Sequence, residues 1–398
     1  MFLRDTLLEV LGDPRLPARP EPEVARELMD ELPRRSGQAV VLTGVRRSGK
    51  SVLQAQLMRR HEAAFYCNLE DTRLYGLGPA DFVTFLSVLD ELAPESAVFL
   101  DEVQEVPEWQ RLVRSLLDRG RTVCITGSNA SLLGRELGAK LTGRHLSYEV
   151  LPFGYREYLA YTRQRLGTAS LASYLQDGGF PAYLRERSPQ VLQELLRDIV
   201  QRDIAVRHRL RGTRHVMNLA LFLLASTGRP YSLQSLTKGL AIPTVGQTSR
   251  YVEYLQDAYL LLALPKFSPS LKKRVVAPNK YYVVDNGLRR AGAPPSRDLG
   301  HRLENAVFLA LRGRHVAAAY AAEKDSWECD FVTDDELIQV CAELTEQNRG
   351  RELKGLVRAS RLPGKRRRSL ILTMSQRDRL VTEGTTIDVR PAWEWMLE

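Results

Sequence analysis

Residues Gly44-Val45-Arg46-Arg47-Ser48-Gly49-Lys50-Ser51 satisfy the pattern G-x-x-x-x-G-K-[ST] at every fixed position. That pattern dictates a fold, because it does its work only between a buried strand and the start of a helix. The apolar run Ala39-Val40-Val41-Leu42 precedes it, and residues 52–60 read as an amphipathic helix. Gly44 and Gly49 let the backbone wrap close enough for its N–H groups to cradle phosphate oxygens. Lys50 supplies a point charge for the β- and γ-phosphates, and Ser51 supplies a hydroxyl for magnesium. The helix that opens at Val52 adds its partial positive charge. ATP and Mg2+ are therefore the expected cofactors, held by residues 44–52.

The rest of the first 150 residues agrees with that reading. Short apolar runs recur at Ala64-Phe65-Tyr66-Cys67, Ala97-Val98-Phe99-Leu100, Thr122-Val123-Cys124-Ile125 and Leu146-Ser147-Tyr148-Glu149-Val150, separated by amphipathic stretches. Runs this short, buried on both faces, predict a parallel sheet in an α/β domain. The third run ends in Asp101-Glu102, some fifty residues after the P-loop. Asp101 is expected to hold magnesium, and Glu102 to orient the attacking water, which predicts a hydrolase. The next run ends in Thr126-Gly127-Ser128-Asn129, where Ser128 or Asn129 would sit between the two motifs and reach the γ-phosphate. Arg135 and Arg144 are candidates for an arginine finger acting on a neighbouring subunit.

A chain of 398 residues exceeds one ordinary core and predicts two or three domains. Its apolar runs, at residues 219–225 and 259–264, are too short to cross a bilayer. The start, Met1-Phe2-Leu3-Arg4-Asp5, lacks a signal peptide's basic and apolar regions, and the four cysteines form no Cys-x-x-Cys pair. A cytoplasmic protein without structural zinc or disulfides is expected. Charge separates the chain into parts. Residues 1–150 hold 19 basic and 22 acidic side chains, residues 151–300 hold 22 and 10, and residues 301–398 hold 16 and 16. The excess of +12 in the middle has two equal readings, the footprint of a polyanion partner such as DNA and a solvated basic face.

Patterning sets the expected boundaries. Residues 1–35 read as a leader interrupted by Pro14, Pro17, Pro20 and Pro22, with a helical pattern at 23–32. Residues 36–151 are the P-loop core, and 152–213 a helical lid broken at Gly178-Gly179-Phe180-Pro181. Over 214–297 the order is helix, helix, helix and hairpin, the outline of a winged helix-turn-helix. Its third helix offers Gln247 and Arg250 to DNA, and its wing offers Lys272, Lys273 and Arg274 to phosphates. Residues 298–398 read as a helix followed by strands.

The succession Gly44–Ser51, Leu100-Asp101-Glu102-Val103-Gln104, Thr126-Gly127-Ser128, Leu151-Pro152-Phe153 with Arg156-Glu157-Tyr158, and Gly178-Gly179-Phe180-Pro181 resembles one family. It is the prokaryotic AAA-type (AAA+ superfamily) ATPases that carry a C-terminal domain of uncharacterised function. The likeness continues through Arg202-Asp203-Ile204, Asp285-Asn286-Gly287-Leu288 and Leu303-Glu304-Asn305. It implies an AAA+-like ATPase core, a winged helix and a last domain of restriction-endonuclease fold. Glu304 and Asp330 match two of the carboxylates such nucleases use. At the third position the chain reads Gln339-Val340-Cys341, so Cys341 replaces the lysine and cleavage is expected to be lost unless Lys324 or Lys354 substitutes.

Three functions are expected, in descending order. The first is an ATPase that remodels or translocates on DNA as a homo-oligomer, with branched DNA among its substrates and a ring among its assemblies. The second is a nucleotide-gated switch that binds a protein partner, and the third an ATP-dependent nuclease.

Overall fold

The five apolar runs of the first 150 residues fold as strands: β1 (Ala39–Thr43), β2 (Ala64–Asn68), β3 (Ala97–Asp101), β4 (Val123–Gly127) and β5 (His145–Glu149). In this computed structural model, residues 3–13, 16, 23–128, 143–270, 272, 274, 277–292, 298–324 and 326–398 are described. The strands form one parallel sheet in the order β2-β3-β4-β1-β5. The flanking helices are α1 (Arg4–Gly12), α2 (Lys50–Met58), α3 (Phe82–Leu92) and α4 (Trp109–Asp118). Because both faces are covered, β1, β3 and β4 are buried at every position and read as unbroken apolar runs.

Side chains still alternate between the faces. Val40 and Leu42 pack with Leu53 and Leu57 of α2. Ala39 and Val41 join Phe85, Leu89, Leu112 and Leu116 of α3 and α4. Each fully buried Leu or Phe of this kind contributes about 2 kcal/mol.

The described parts of the expected leader, residues 1–35, pack on the core. Leu7, Val10 and Leu11 of α1 enter the same cluster as α3. Residues 23–35 run along α2, where Gln56 Nε2 donates to the Val24 carbonyl at 2.8 Å and Arg60 Nη1 to that of Met29 at 2.8 Å. The helix expected over 23–32 is only the 3-10 turn Glu27–Asp30, because Pro33 disfavours helical backbone at Leu32 just beyond it.

The chain divides into two units, residues 1–151 and 152–398. In the second, helices Tyr155–Thr162, Thr168–Asp177, Pro181–Glu186 and Pro189–Asp198 lead into a π-helical segment, Ile199–Val206. The motifs at 178–181 and 285–288 meet around one buried carboxyl. Asp285 Oδ2 accepts from Gly179 N at 2.5 Å, and Oδ1 accepts from Gly287 N at 2.8 Å. A Cβ on Gly179 would lie 2.1 Å from the Phe153 carbonyl oxygen, and one on Gly287 2.2 Å from that of Asp177. Those glycines are required by close backbone approach. Burial pushes the Asp285 carboxyl up to about 7.

Helices Arg214–Ala225, Leu233–Gly239 and Val245–Asp257 follow, the last two capped by Ser232 and Thr244. Antiparallel β7 (Leu261–Leu264) and β8 (Asn279–Val283) come next, with β6 (Pro230–Tyr231) on the far edge of β8. A six-stranded sheet completes the unit: β9 (Ala319–Glu323), β10 (Trp327–Val332), β11 (Glu336–Val340), β12 (Arg368–Thr373), β13 (Asp378–Thr382) and β14 (Thr385–Pro391), ordered β13-β14-β12-β11-β10-β9.

Hydrogen bonds join the segments on either side of the boundary expected at 297/298. Phe267 N donates to the Tyr320 carbonyl at 2.7 Å, and Tyr320 N to that of Pro265 at 3.0 Å. The Asn305 amide bonds both the N–H and the carbonyl of Val283, at 2.9 and 3.1 Å. All four cysteines are buried and unpaired, and no helix among the described residues is long and apolar enough to cross a membrane.

Candidate nucleotide site

β4 lies between β1 and β3, so the end of β4 separates the P-loop from Asp101. The P-loop backbone is left-handed at Gly44 (φ 142°), Arg47 (φ 63°) and Gly49 (φ 98°). Gly44 cannot be replaced without movement, since a Cβ there would sit 2.3 Å from the Val150 carbonyl oxygen. Val45 and Ser48 are buried, Arg46, Ser51 and Val52 are half-buried, and Arg47 is exposed. Lys50 is buried, with Nζ donating to the carbonyls of Gly44 and Val45 at 3.1 Å each.

The strand end carries a built carboxylate. Asp101 is buried; Tyr66 OH of β2 donates to its Oδ2 at 2.9 Å, and Thr126 Oγ1 of β4 donates to its Oδ1. Thr126 Oγ1 also accepts from Glu102 N at 3.0 Å. Burial, with the Asp101 charge beside it, pushes the Tyr66 phenol well above its usual range, so it stays a donor. Glu102 follows in a left-handed conformation (φ 54°) with its carboxylate accepting from Gln104 Nε2.

Three residues that sequence reasoning passes over hold this arrangement. Thr126 touches the Asp101–Glu102 pair directly. Ser128 is buried at the end of β4, and Asn129, like Arg135, lies outside the described residues. Gln54 of α2 donates to the carbonyls of Leu100 and Cys124 at 3.2 Å each, pinning the helix to β3 and β4. Arg26 donates to the Ser48 carbonyl at 3.0 Å and to that of Leu151 at 2.6 Å. An internal polar position on a strand is the available signal for Thr126; Arg26 offers none.

The residues fit a polyphosphate with a divalent cation. Ser48 Oγ is buried with no hydrogen-bond partner among the described residues, just before the N-terminus of α2 and its buried Lys50. Arg144 stands elsewhere. It precedes β5 at the strand-start end of the sheet, where its carbonyl accepts from Ala39 N and its guanidinium pairs with Asp118 at 2.5 Å.

The residues expected to meet DNA occupy a different unit. Arg250, Lys272 and Arg274 are exposed, and Lys273 lies outside the described residues. Gln247 is half-buried with its amide bonded to Tyr251 OH at 2.5 Å. Around them the sequence contains no acidic residue between Asp203 and Glu253, but carries Arg207, Arg209, Arg211, Arg214, Arg229, Lys238 and Arg250. His208 stacks on Tyr254 at 3.6 Å, holding part of this basic run against the Val245–Asp257 helix.

Glu304 and Asp330 are brought together, in a cavity also lined by Gln339 and Cys341. The cation that reaches them is neither Lys324 nor Lys354, both exposed, but Lys280 of β8. Burial opposes its charge, and Glu304 with the neighbouring acids overrides that and holds the ammonium well above its usual range. Burial pushes Asp330 up.

Residues 36–159 match the AAA domain family, and residues 168–296 match a domain of unknown function (DUF8612). An uncharacterised protein of Methanocaldococcus jannaschii is 32% identical over 347 residues, covering 80% of this chain and 78% of its own length. An uncharacterised protein of Haemophilus influenzae is 32% identical over 334 residues, covering 77% and 83%. Among solved structures, the Aeropyrum pernix ORC1 protein in complex with DNA is similar at 13% identity over 72% of this chain and 90% of that one. Its TM-score is 0.30, too loose a superposition to bear on function.

Proposed function

This chain belongs to the same family as the M. jannaschii and H. influenzae proteins and carries an AAA domain, ATPase-like in type, at residues 36–159; from that premise we propose that it hydrolyses ATP with magnesium and uses the turnover to remodel or translocate on DNA. In this reading residues 44–52 bind the triphosphate, with Lys50 as countercharge, and Ser51 and Asp101 hold the cation. Glu102 orients the attacking water, and Thr126 keeps Asp101 and Glu102 in register. Mg2+ would neutralise charge on the phosphates. The observation that carries hydrolysis is the Asp101 carboxylate, buried, held by two neutral hydroxyl donors and separated from the P-loop strand by β4 alone.

DNA as the partner rests on the acid-free basic run and on the exposed Arg250, Lys272 and Arg274. Contacts of that type bind phosphate without reading bases, so affinity falls steeply with salt and selects DNA structure rather than sequence. The helix-helix-helix-hairpin order supports a winged helix as the element that presents them. A homo-oligomer belongs to the same proposal. Arg144 stands at the far end of the sheet from its own P-loop, so any role on a γ-phosphate is on a neighbouring copy's.

The test is the ATPase rate with and without single-stranded, duplex and four-way-junction DNA, beside the mass measured with and without ATP. Stimulation by one DNA class and a nucleotide-dependent rise in mass are expected. DNA-independent turnover with no DNA binding at low salt would discard the DNA partner and favour the protein-binding switch.

A further inference from the structure

Lys280 makes contacts that nothing in the nucleotide site explains. Its side chain is 1% exposed, and Nζ lies 3.0 Å from Glu304 Oε1, 3.2 Å from Asp330 Oδ1 and 2.5 Å from Glu328 Oε1. Tyr282, two residues along β8 and therefore on the same face, donates to Glu304 Oε1 at 2.6 Å. Asp330 Oδ2 accepts from Val340 N at 2.9 Å. The carboxylates come from two elements: the Leu299–Gly313 helix for Glu304, and successive same-face positions of β10 for Glu328 and Asp330. They line one wall of a cavity of about 1130 Å³, and the half-exposed Glu328 connects them to it.

Three converging carboxylates with one central cation are the donor set of a hard divalent metal. Here the central cation is an ammonium anchored to the hairpin strand β8. A free ion competing for this place must displace a group held there covalently, and must leave that ammonium buried and unpaired. No group of three or more His, Cys, Asp or Glu among the described residues is arranged to hold a metal, and that includes these three carboxylates as they stand around Lys280. Lys280 lines the same cavity, but with its side chain only 1% exposed and its ammonium turned to three carboxylates.

We propose that Lys280 is a tethered cation that fills a divalent-metal site formed by Glu304, Glu328 and Asp330, and that it closes this site to metal-dependent phosphodiester cleavage. The contact also ties the β7–β8 hairpin to the six-stranded sheet, so the site doubles as a clasp within the second unit. The proposal stands apart from the nucleotide site, and neither depends on the other.

The test is Mn2+ titration by calorimetry of the full-length chain without nucleotide, in wild type, Lys280→Ala and the Lys280→Ala/Asp330→Asn double variant. Lys280→Ala is expected to bind one Mn2+ at least tenfold more tightly than wild type, and the double variant to lose that gain. Equal affinity in folded Lys280→Ala and wild type overturns the proposal. Where Lys280→Ala proves too unstable to purify, the melting temperature of Lys280→Met with and without Mn2+ decides: a rise supports a vacated metal site, and no rise refutes it. Linear and branched DNA are incubated with wild type and Mn2+ as a second arm. No cleavage is expected; cleavage that Lys280→Ala abolishes would make Lys280 a catalytic residue and end the tethered-cation reading.

Discussion

Two buried carboxylate centres in this chain are assembled from similar parts and held in opposite ways. In the first unit Asp101 is gripped by two hydroxyls, Tyr66 OH and Thr126 Oγ1, neither of which neutralises it. In the second unit Glu304, Glu328 and Asp330 surround the ammonium of Lys280. Neutral donors fix a carboxylate while leaving its charge available to a cation from outside. An internal lysine satisfies that charge permanently and converts it into a packing contact. On the two proposals above, the difference separates a centre built to exchange a ligand from one built to stay shut, although in sequence both show only acidic residues, Asp101, Glu328 and Asp330 on strands and Glu304 on a helix.

Substitutions at the two centres should therefore act on different properties. Lys50→Ala is expected to abolish ATP turnover. Glu102→Gln should keep nucleotide binding while hydrolysis drops by ~100-fold or more, the scale of losing a group that acts mainly in the transition state. A Glu102→Gln protein with the wild-type rate would remove Glu102 from the site. Glu304→Ala should instead leave the basal ATPase rate within about twofold and cost the second unit roughly 1–3 kcal/mol, because it leaves the buried Tyr282 OH without its acceptor and takes one of three carboxylates from Lys280. Chemical denaturation beside ATPase assays reads both; a Glu304→Ala protein as stable as wild type would mean the clasp carries no stability.

Asp285 gives a third, smaller effect with a defined sign. Its folded carboxyl is pushed up to about 7 by burial, above the ordinary 3.8 it regains on unfolding. The folded state then binds the extra proton between those values, so stability falls as pH rises through that window and levels off above about 7. Thermal unfolding from about pH 5 to about pH 8 should show a steeper loss for wild type than for Asp285→Asn, which has nothing to titrate. Parallel curves would show that the three backbone donors keep Asp285 ionised after all.

How much of this is legible in the sequence depends on how local the signal is. Gly44, Gly49, Lys50 and the apolar run ending at Asp101 announce themselves within a few residues, since the phosphate cradle and the buried strand each need fixed neighbours. The parallel sheet follows from the same runs. β13 and β14 escape notice because their half-exposed, charged sequences, such as Asp378-Arg379-Leu380, lack an apolar run. Arg26, Gln54 and Thr126 act on partners 22 to 125 residues away, so no spacing rule marks them. Lys280 is invisible for the same reason. The loss of a lysine at Cys341 is readable, but the strand fifty residues before Asp330 that supplies another is not. Conversely, Gly178-Gly179 and Asp285-Asn286-Gly287 stand out as motifs without revealing that they are one structural knot.

The finest division lies within the nucleotide site itself, between the two hydroxyls on Asp101. Thr126 bonds both Asp101 and the Glu102 N–H, so Thr126→Ala should disturb the cation ligand and the water-orienting residue together. Tyr66 bonds only the other carboxylate oxygen. A single buried hydrogen bond of this kind is worth about 1–1.5 kcal/mol, which predicts a roughly tenfold loss in kcat for Thr126→Ala. Tyr66→Phe should lose less, about threefold, because Thr126 still fixes Asp101. Thr126→Ser, which keeps the hydroxyl, should recover most of the rate. Ser128→Ala serves as the counter-case: if its loss exceeds that of Thr126→Ala, the γ-phosphate contact belongs to Ser128, and Thr126 merely packs the end of β4.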